Sequence, residues 1–279
     1  MAITAKPLPA GFGIEIDGLD ANRDLSDADR TMVLNAFHDH SVVVLRNVFM
    51  DDDSQVRFSQ VFGEVEVSLG ANPSSGTKFS RQSNIDIASG GLIPPDDRRM
   101  AYQKGNYLWH MDSSFKQRSS LCSILSAREV PPEGGNTEFC STRLLYESLS
   151  DAEKSKLDTL TIEHDIRYSR GLTGFKYTEQ EAKNFQTAPH KLVRTNPHNG
   201  RKSLLIGIHA WRIAGWDDEP SRQLIDSLNA RAEATGIYSH KWLPGDVVIW
   251  DNQATLHRAT AYDTVKYRRL MQRTTIALP

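Results

Sequence analysis

Hydrophobic and polar positions alternate with a period of two at Gly13-Ile14-Glu15-Ile16, which predicts a short strand closed by the turn pair Asp17-Gly18. The period then lengthens. Ser26-Asp27-Ala28-Asp29 offers a helix cap, and Met32, Val33, Leu34 and Phe37 follow on one helical face. Ser41-Val42-Val43-Val44-Leu45-Arg46 is an apolar, β-branched run, the pattern of a buried strand. A second helix is predicted from about Asp53 to Phe62, stopping at Gly63.

From about 69 to 104 the chain is polar and punctuated by Pro73, Gly76, Gly90, Gly91, Pro94 and Pro95. A loop of that length is expected to build a pocket wall or lid. Strand signals run from Leu108 to Thr137, and residues 143–190 read as a polar helical insert, with helices at Leu144–Leu149, Ala152–Leu160 and Glu179–Phe185. Strands return at Leu192–Thr195, Leu204–Ile208, Val247–Trp250 and Leu270–Ala277. This order lacks the steady alternation of a Rossmann or TIM fold. It predicts a mainly β fold with helical additions, a sandwich or jelly roll, with no linker that would split residues 1–279.

Composition narrows the function classes. The 279 residues carry 33 basic and 35 acidic side chains, a net charge of -2, so no basic excess points to nucleic acid or an acidic membrane. No apolar run approaches the roughly 20 residues of a membrane span. The opening MAITAKPLPAGFG has no apolar core, so no secretory signal is expected. Cys122 and Cys140 cannot build a disulfide framework and read as reduced thiols of a cytoplasmic protein. A chain this long buries a core without metal staples, so a metal site here is expected to be catalytic.

Trp109-His110-Met111-Asp112 contains His-x-Asp. On a strand or its edge, positions two apart point to one side, so His110 and Asp112 can aim an imidazole and a carboxylate at one point. Downstream, Val247–Asn252 reads as a strand and turn, followed by Leu256-His257-Arg258. His257 would complete two histidines and one carboxylate, the facial set that holds Fe(II) and leaves positions open. His38-Asp39-His40 offers a competing cluster, but it falls at a helix end, where histidine suits the dipole. A zinc hydrolase using the same three residues, or a non-enzymatic β-sandwich binding module with an incidental His-x-Asp, stays open at this level.

Arg269 and Arg273 are four apart in Tyr267–Thr274, which reads as a strand, and so share a side. Facing inward, each would need an anion, as a diacid cosubstrate and an acidic substrate would supply; facing outward, both would be solvated. Spacing alone leaves both readings open.

Together these segments resemble the Fe(II)/2-oxoglutarate-dependent dioxygenases of the taurine dioxygenase type, and within them the 2,4-dichlorophenoxyacetate/2-oxoglutarate dioxygenase clade. The resemblance covers nearly the whole chain. It includes Phe12–Ile16, Val43–Arg46, Phe58–Gly63, Asn106–Phe115, Pro131–Phe139, Gly200–Leu204, and Trp250-Asp251-Asn252 through His257-Arg258, in the family's order.

The resemblance implies a double-stranded β-helix with His110, Asp112 and His257 as iron ligands and with 2-oxoglutarate and O2 as cosubstrates. It implies that the Thr137 hydroxyl contacts 2-oxoglutarate and that Arg269 pairs with its distal carboxylate. Arg273 would help hold the acidic group of the substrate or the near carboxylate. The spacing from His257 is one residue longer than usual, and counting forward selects Arg268 and Gln272. Arg269 and Arg273 are preferred because only they keep two arginines on one strand face. The implied reaction decarboxylates 2-oxoglutarate to succinate and CO2 and hydroxylates a small acidic substrate. An aryloxyacetate would thereby collapse to a phenol and glyoxylate. Leu205–Ala210 resembles the aryloxyacetate clade, and Glu64–Ser68 lacks the histidine of the taurine enzymes, so an aryloxyalkanoate is preferred over a sulfonate such as taurine. Tyr107 and His209 read either as pocket wall or as structural residues. The reading allows a homo-oligomer without fixing one.

Overall fold

The computed structural model describes residues 3–68, 74 and 76–279. Pro73 and most of the segment from 69 to 75 lie outside the described residues.

Seven strands form the largest sheet, in the order Thr4–Pro7, Ile14–Asp17, Val42–Leu45, Val247–Asp251, Ser120–Glu129, Leu270–Ala277 and Ser80–Ser83. All neighbours are antiparallel except Ile14–Asp17 with Val42–Leu45. The period of two divides its central strands between two cores. Val43, Leu45, Ile124, Val247 and Ile249 pack with Val33, Phe37 and Phe58 of the helices Asp27–His40 and Asp52–Ser59. Val42, Val44, Leu125, Val248, Trp250 and Met271 pack the other way, with Phe139 and Tyr238. Those two belong to a three-stranded sheet ordered Ile237–His240, Thr137–Ser141, Thr255–Ala259. A third core gathers helices Thr142–Ser148, Asp151–Leu157 and Asp218–Ala234 around strands Thr161–His164 and Ala210–Ile213. The molecule is therefore mostly β with added helices. The central valines are fully buried, each contributing on the order of 1.5–3 kcal/mol of transfer free energy.

Helix Asp27–His40 starts where the sequence predicts. Ser26 accepts from the Asp29 amide at 3.1 Å, and the helix ends at Ser41 in the left-handed region with φ 66°. His38 and His40 occupy its last turn, as expected of a helix terminus, and His38 stacks on His198 with centroids 3.5 Å apart.

Four expectations need correction. The segment 69–104 is not all loop: Ser80–Ser83 is an edge strand paired with Leu270–Arg273, and Arg98–Gln103 is a helix. Ser-Arg-Gln-Ser carries no apolar alternation because its side chains are only partly covered, so no period marked it. Second, the strand expected from Leu108 begins only at Ser120; before it the chain turns, touching the sheet through one bridge at His110. Third, the insert 143–190 also contains strands Thr161–His164 and Ala188–Lys191. Fourth, Leu204–Ile208 is a strand only at its start, Lys202–Leu204, because Gly207 takes φ +103°. Helix Asp218–Ala234 is additional to the expectations, although Ser221, Ile225, Leu228 and Ala232 bury one stripe. Among the described residues no helix is long and apolar enough to cross a membrane.

Candidate functional site: a metal centre between two cavities

The strand Thr255–Ala259 carries His257 on the inner side of the small sheet. The chain before Ser120 reaches it through one antiparallel bridge, in which the His110 amide donates to the His257 carbonyl at 3.0 Å and the His257 amide to the His110 carbonyl at 2.9 Å. Gly207 lets this bridge form against the 205–208 segment: a Cβ there would stand 3.2 Å from both His110 Cα and the Trp109 carbonyl oxygen. Two residues on, Asp112 turns its carboxylate under the pair, and Ser113 leaves in the left-handed region with φ 54°.

His110, Asp112 and His257 each offer a ligand atom within 4.8 Å of the others, and all three are buried. His110 Nε2 is 3.8 Å and His257 Nε2 is 3.4 Å from Asp112 carboxylate oxygens. His110 Nδ1 lies 2.7 Å from the Leu108 carbonyl, which fixes the proton there and leaves Nε2 free to ligate. Among the described residues His257 Nδ1 is buried without a partner, so none of them sets its tautomer; a metal on Nε2 would. Burial pushes His110 down to about 4 and His257 well below the ordinary imidazole range. Both are therefore neutral, the form that binds a metal. Burial alone would raise Asp112, but Arg273, the two histidines and the Ser123 hydroxyl hold it below the usual carboxylate range. Ser123 Oγ donates to Asp112 Oδ2 at 2.7 Å, and Arg273 Nη1 donates to Oδ1. Two neutral imidazoles and one ionised carboxylate, preset by outer hydrogen bonds, fit the facial set of a non-haem Fe(II) centre.

Two cavities meet at this point, and His110 and Arg273 line both. The smaller, of about 230 Å³, is walled by Arg269, Thr137, His257, Tyr107 and Tyr262 among others. Arg269 sits just before strand Leu270–Ala277 rather than within it, and a register shift follows between Leu270 and Met271. It still shares this cavity with Arg273. Asn84 and Ser83 grip its backbone, each at 2.8 Å. Its guanidinium is buried and, among the described residues, hydrogen-bonds only the carbonyls of Gly135 and Gln82 at 3.3 and 3.5 Å and leaves Nε without a partner. Thr137 Oγ1 accepts from Trp242 Nε1 at 3.0 Å, which leaves the hydroxyl proton to donate. Arg268, one residue away, points outward onto Glu129 at 2.8 Å and the Gly90 carbonyl. Tyr107 is 37% exposed and lines the small cavity.

The larger cavity, of about 340 Å³, opens on the other side of His110 and Asp112. Phe115, Tyr102 and Phe185 give it aromatic wall, and Lys78, Arg99, Lys116, Arg170 and Arg273 make it basic. His209 satisfies both of its sequence readings: Nδ1 meets Ser169 Oγ at 2.8 Å, and the ring lines the cavity 5.0 Å from Phe115. Arg170 and Tyr102 were missed by sequence reasoning. An arginine in the last turn of a short helix is what the dipole rule predicts of a solvated side chain, so nothing marked it out.

Comparison with known proteins agrees with this geometry. The chain is 35% identical to the alpha-ketoglutarate-dependent 2,4-dichlorophenoxyacetate dioxygenase of Burkholderia sp. (strain RASC), over 99% of this chain and 95% of that one. It is 31% identical to the (S)-phenoxypropionate/alpha-ketoglutarate-dioxygenase of Sphingobium herbicidovorans, over 99% and 95%. The crystal structure of AAD-2 in complex with Mn(II) and N-oxalylglycine superposes with a TM-score of 0.90 at 36% identity, covering 99% of this chain and 97% of that one. A taurine dioxygenase from Burkholderia xenovorans matches with a TM-score of 0.79 at 26% identity, over 99% and 90%. The profile of the taurine catabolism dioxygenase TauD, TfdA family covers residues 4–275, and the chain belongs to that family.

Proposed function

We propose that the chain is an Fe(II)/2-oxoglutarate-dependent dioxygenase that hydroxylates an aryloxyalkanoate of the phenoxyacetate type, splitting it to a phenol and glyoxylate. The observation that carries the reading is the buried His110–Asp112–His257 set lying between two cavities, each with arginine in its wall. Fe(II), with 2-oxoglutarate and O2, supplies the oxidising power for C–H hydroxylation, and succinate and CO2 leave as co-products. The chain's own residues place the reactants. Arg269, buried and without a carboxylate partner among the described residues, receives the distal carboxylate of 2-oxoglutarate through its fork. Thr137 donates its hydroxyl proton to the same molecule, its oxygen being engaged by Trp242. Arg273, on the wall between the cavities, helps hold the near carboxylate or the acidic group of the substrate, and with Ser123 keeps Asp112 ionised.

The same reading takes residues 1–279 as one catalytic domain of double-stranded β-helix type. The large sheet and the sheet of Thr137–Ser141 sharing one apolar core around Trp250 support it, as does a family profile running from 4 to 275. Residues 78–106 and 113–117 contribute to the substrate wall. Two free, buried cysteines favour a cytoplasmic setting.

The test is succinate release from 2-oxoglutarate under Fe(II) and ascorbate, with phenoxyacetate, the two phenoxypropionate enantiomers, and taurine. Phenoxyacetate-type acids are expected to outperform taurine, and His110→Ala to abolish release. Taurine ranking first would refute the substrate class; no release with any acid would refute the reaction.

A further inference from the structure

Five basic residues line the larger cavity, and four of them are accounted for. Arg99 is paired with Asp86 and Asp97, Lys116 with Glu66, and Arg273 with Asp112. Lys78 is exposed to solvent. Arg170 is different. It is only 6% exposed, no carboxylate among the described residues pairs with it, and its Nε has no hydrogen-bond partner. Its guanidinium lies over the Tyr102 ring at 4.4 Å and rests on the bare backbone of Gly105, where a Cβ would meet Nη1 at 1.3 Å. A buried cation without an anion is costly unless a ligand brings one. An aromatic face below and a glycine beside it hold the fork in place before that ligand arrives.

We propose that Arg170 is the specificity-determining anchor for the substrate carboxylate, a refinement that rests on the aryloxyalkanoate reading above. Arg273, already bound to Asp112, is then left to the metal side of the site. The carboxylate held at Arg170 leaves the cavity wall of Phe115 and Phe185 for the aryl group. A planar fork suits a carboxylate bidentately, so selectivity for acids over neutral ethers is assigned to this one side chain.

The experiment measures equilibrium binding, without turnover, to protein loaded with Mn(II) and N-oxalylglycine. The ligands are phenoxyacetate, its neutral analogue 2-phenoxyethanol, and hexyl sulfate. Arg170→Gln is expected to weaken phenoxyacetate by about 100-fold, the scale for removing one partner of a buried charge pair, and 2-phenoxyethanol by less than about 3-fold. Arg170→Lys keeps the charge without the fork and should lose about 10-fold. Gly105→Ala leaves Arg170 in the sequence but displaces its guanidinium, and should also weaken phenoxyacetate selectively. Wild type that binds phenoxyacetate, beside an Arg170→Gln variant that binds it equally well, overturns the anchor alone. Equal losses of phenoxyacetate, phenoxyethanol and N-oxalylglycine overturn it in favour of a structural role. Wild type that does not bind phenoxyacetate overturns the substrate class and the anchor together. Tighter, Arg170-dependent binding of hexyl sulfate overturns the carboxylate assignment.

Discussion

The two walls of the site are made differently. The wall carrying His257, Arg269 and Arg273 rests on paired strands, Thr255–Ala259 and Leu270–Ala277, with Arg269 just before the second and its backbone held by Asn84 and Ser83. The opposite wall comes from turns and short helices: the 113–119 stretch, Arg98–Gln103 and Ile166–Gly171. Chemistry common to a family needs positions that do not drift, and a ladder supplies them. Substrate choice needs a surface that can be rebuilt without disturbing the ladder, and turns allow that. The two buried arginines that line the cavities follow this division, Arg269 standing just before a strand and Arg170 in the last turn of a helix.

The largest effect is expected on the strand-built wall. His257→Ala removes a proposed ligand on the ladder and should lower substrate-dependent succinate release by more than about 100-fold, beyond the range for losing an outer partner. Metal content measured on the purified variant should fall with it. Next, Arg269→Ala should raise the KM for 2-oxoglutarate by about 100-fold, whereas Arg268→Ala, which loses an exposed ion pair and an exposed bond to the Gly90 carbonyl, should change it by less than about 2-fold. A larger effect at Arg268 would move the register by one residue and undo the strand-built assignment. Ser123→Ala, which frees one oxygen of Asp112, should weaken metal affinity by about 10-fold in a chelator competition, with the fold intact.

The smallest effect concerns acid. His164, whose Nδ1 meets Ser114 Oγ at 3.0 Å behind the turn-built wall, is pushed down to about 3 by burial, with His190 adding to it. The unfolded chain takes up a proton near pH 6.5, so between about 6.5 and 3 it binds more protons than the folded form. Stability from keeping His164 neutral is therefore full above about pH 6.5 and is lost as pH falls toward 3. The slope is at most about 1.4 kcal/mol per pH unit for one proton. Denaturation midpoints of the metal-free protein across this range should fall with pH, and His164→Gln should flatten the trend. An unchanged slope in that variant would show that another group governs it.

Much of this arrangement was legible in the sequence where local chemistry decides it. The β-branched run at Val42–Val44, the Ser26 cap and the His-x-Asp spacing each state their outcome within a few residues. Strand Ser80–Ser83 was not legible, because a partly covered edge strand beside a cavity needs no apolar alternation. The strand side of His110 was only partly legible. One bridge, not a full ladder, brings it to His257, and a bridge leaves no period. Arg170 was hidden for a tertiary reason. Its burial depends on Tyr102 and Gly105, more than sixty residues earlier in the chain, and no local pattern encodes that meeting.

The reciprocal backbone bond between residues 110 and 257 has a consequence for how such a protein loses and regains its ion. Because main-chain groups tie the two imidazole-bearing positions together, their spacing does not depend on cargo. The emptied scaffold should stay spring-loaded for reloading, its nest already shaped. Rescue after chelation should accordingly be fast and complete on simple addition of ferrous salt, with no refolding phase, since only side chains have to swing.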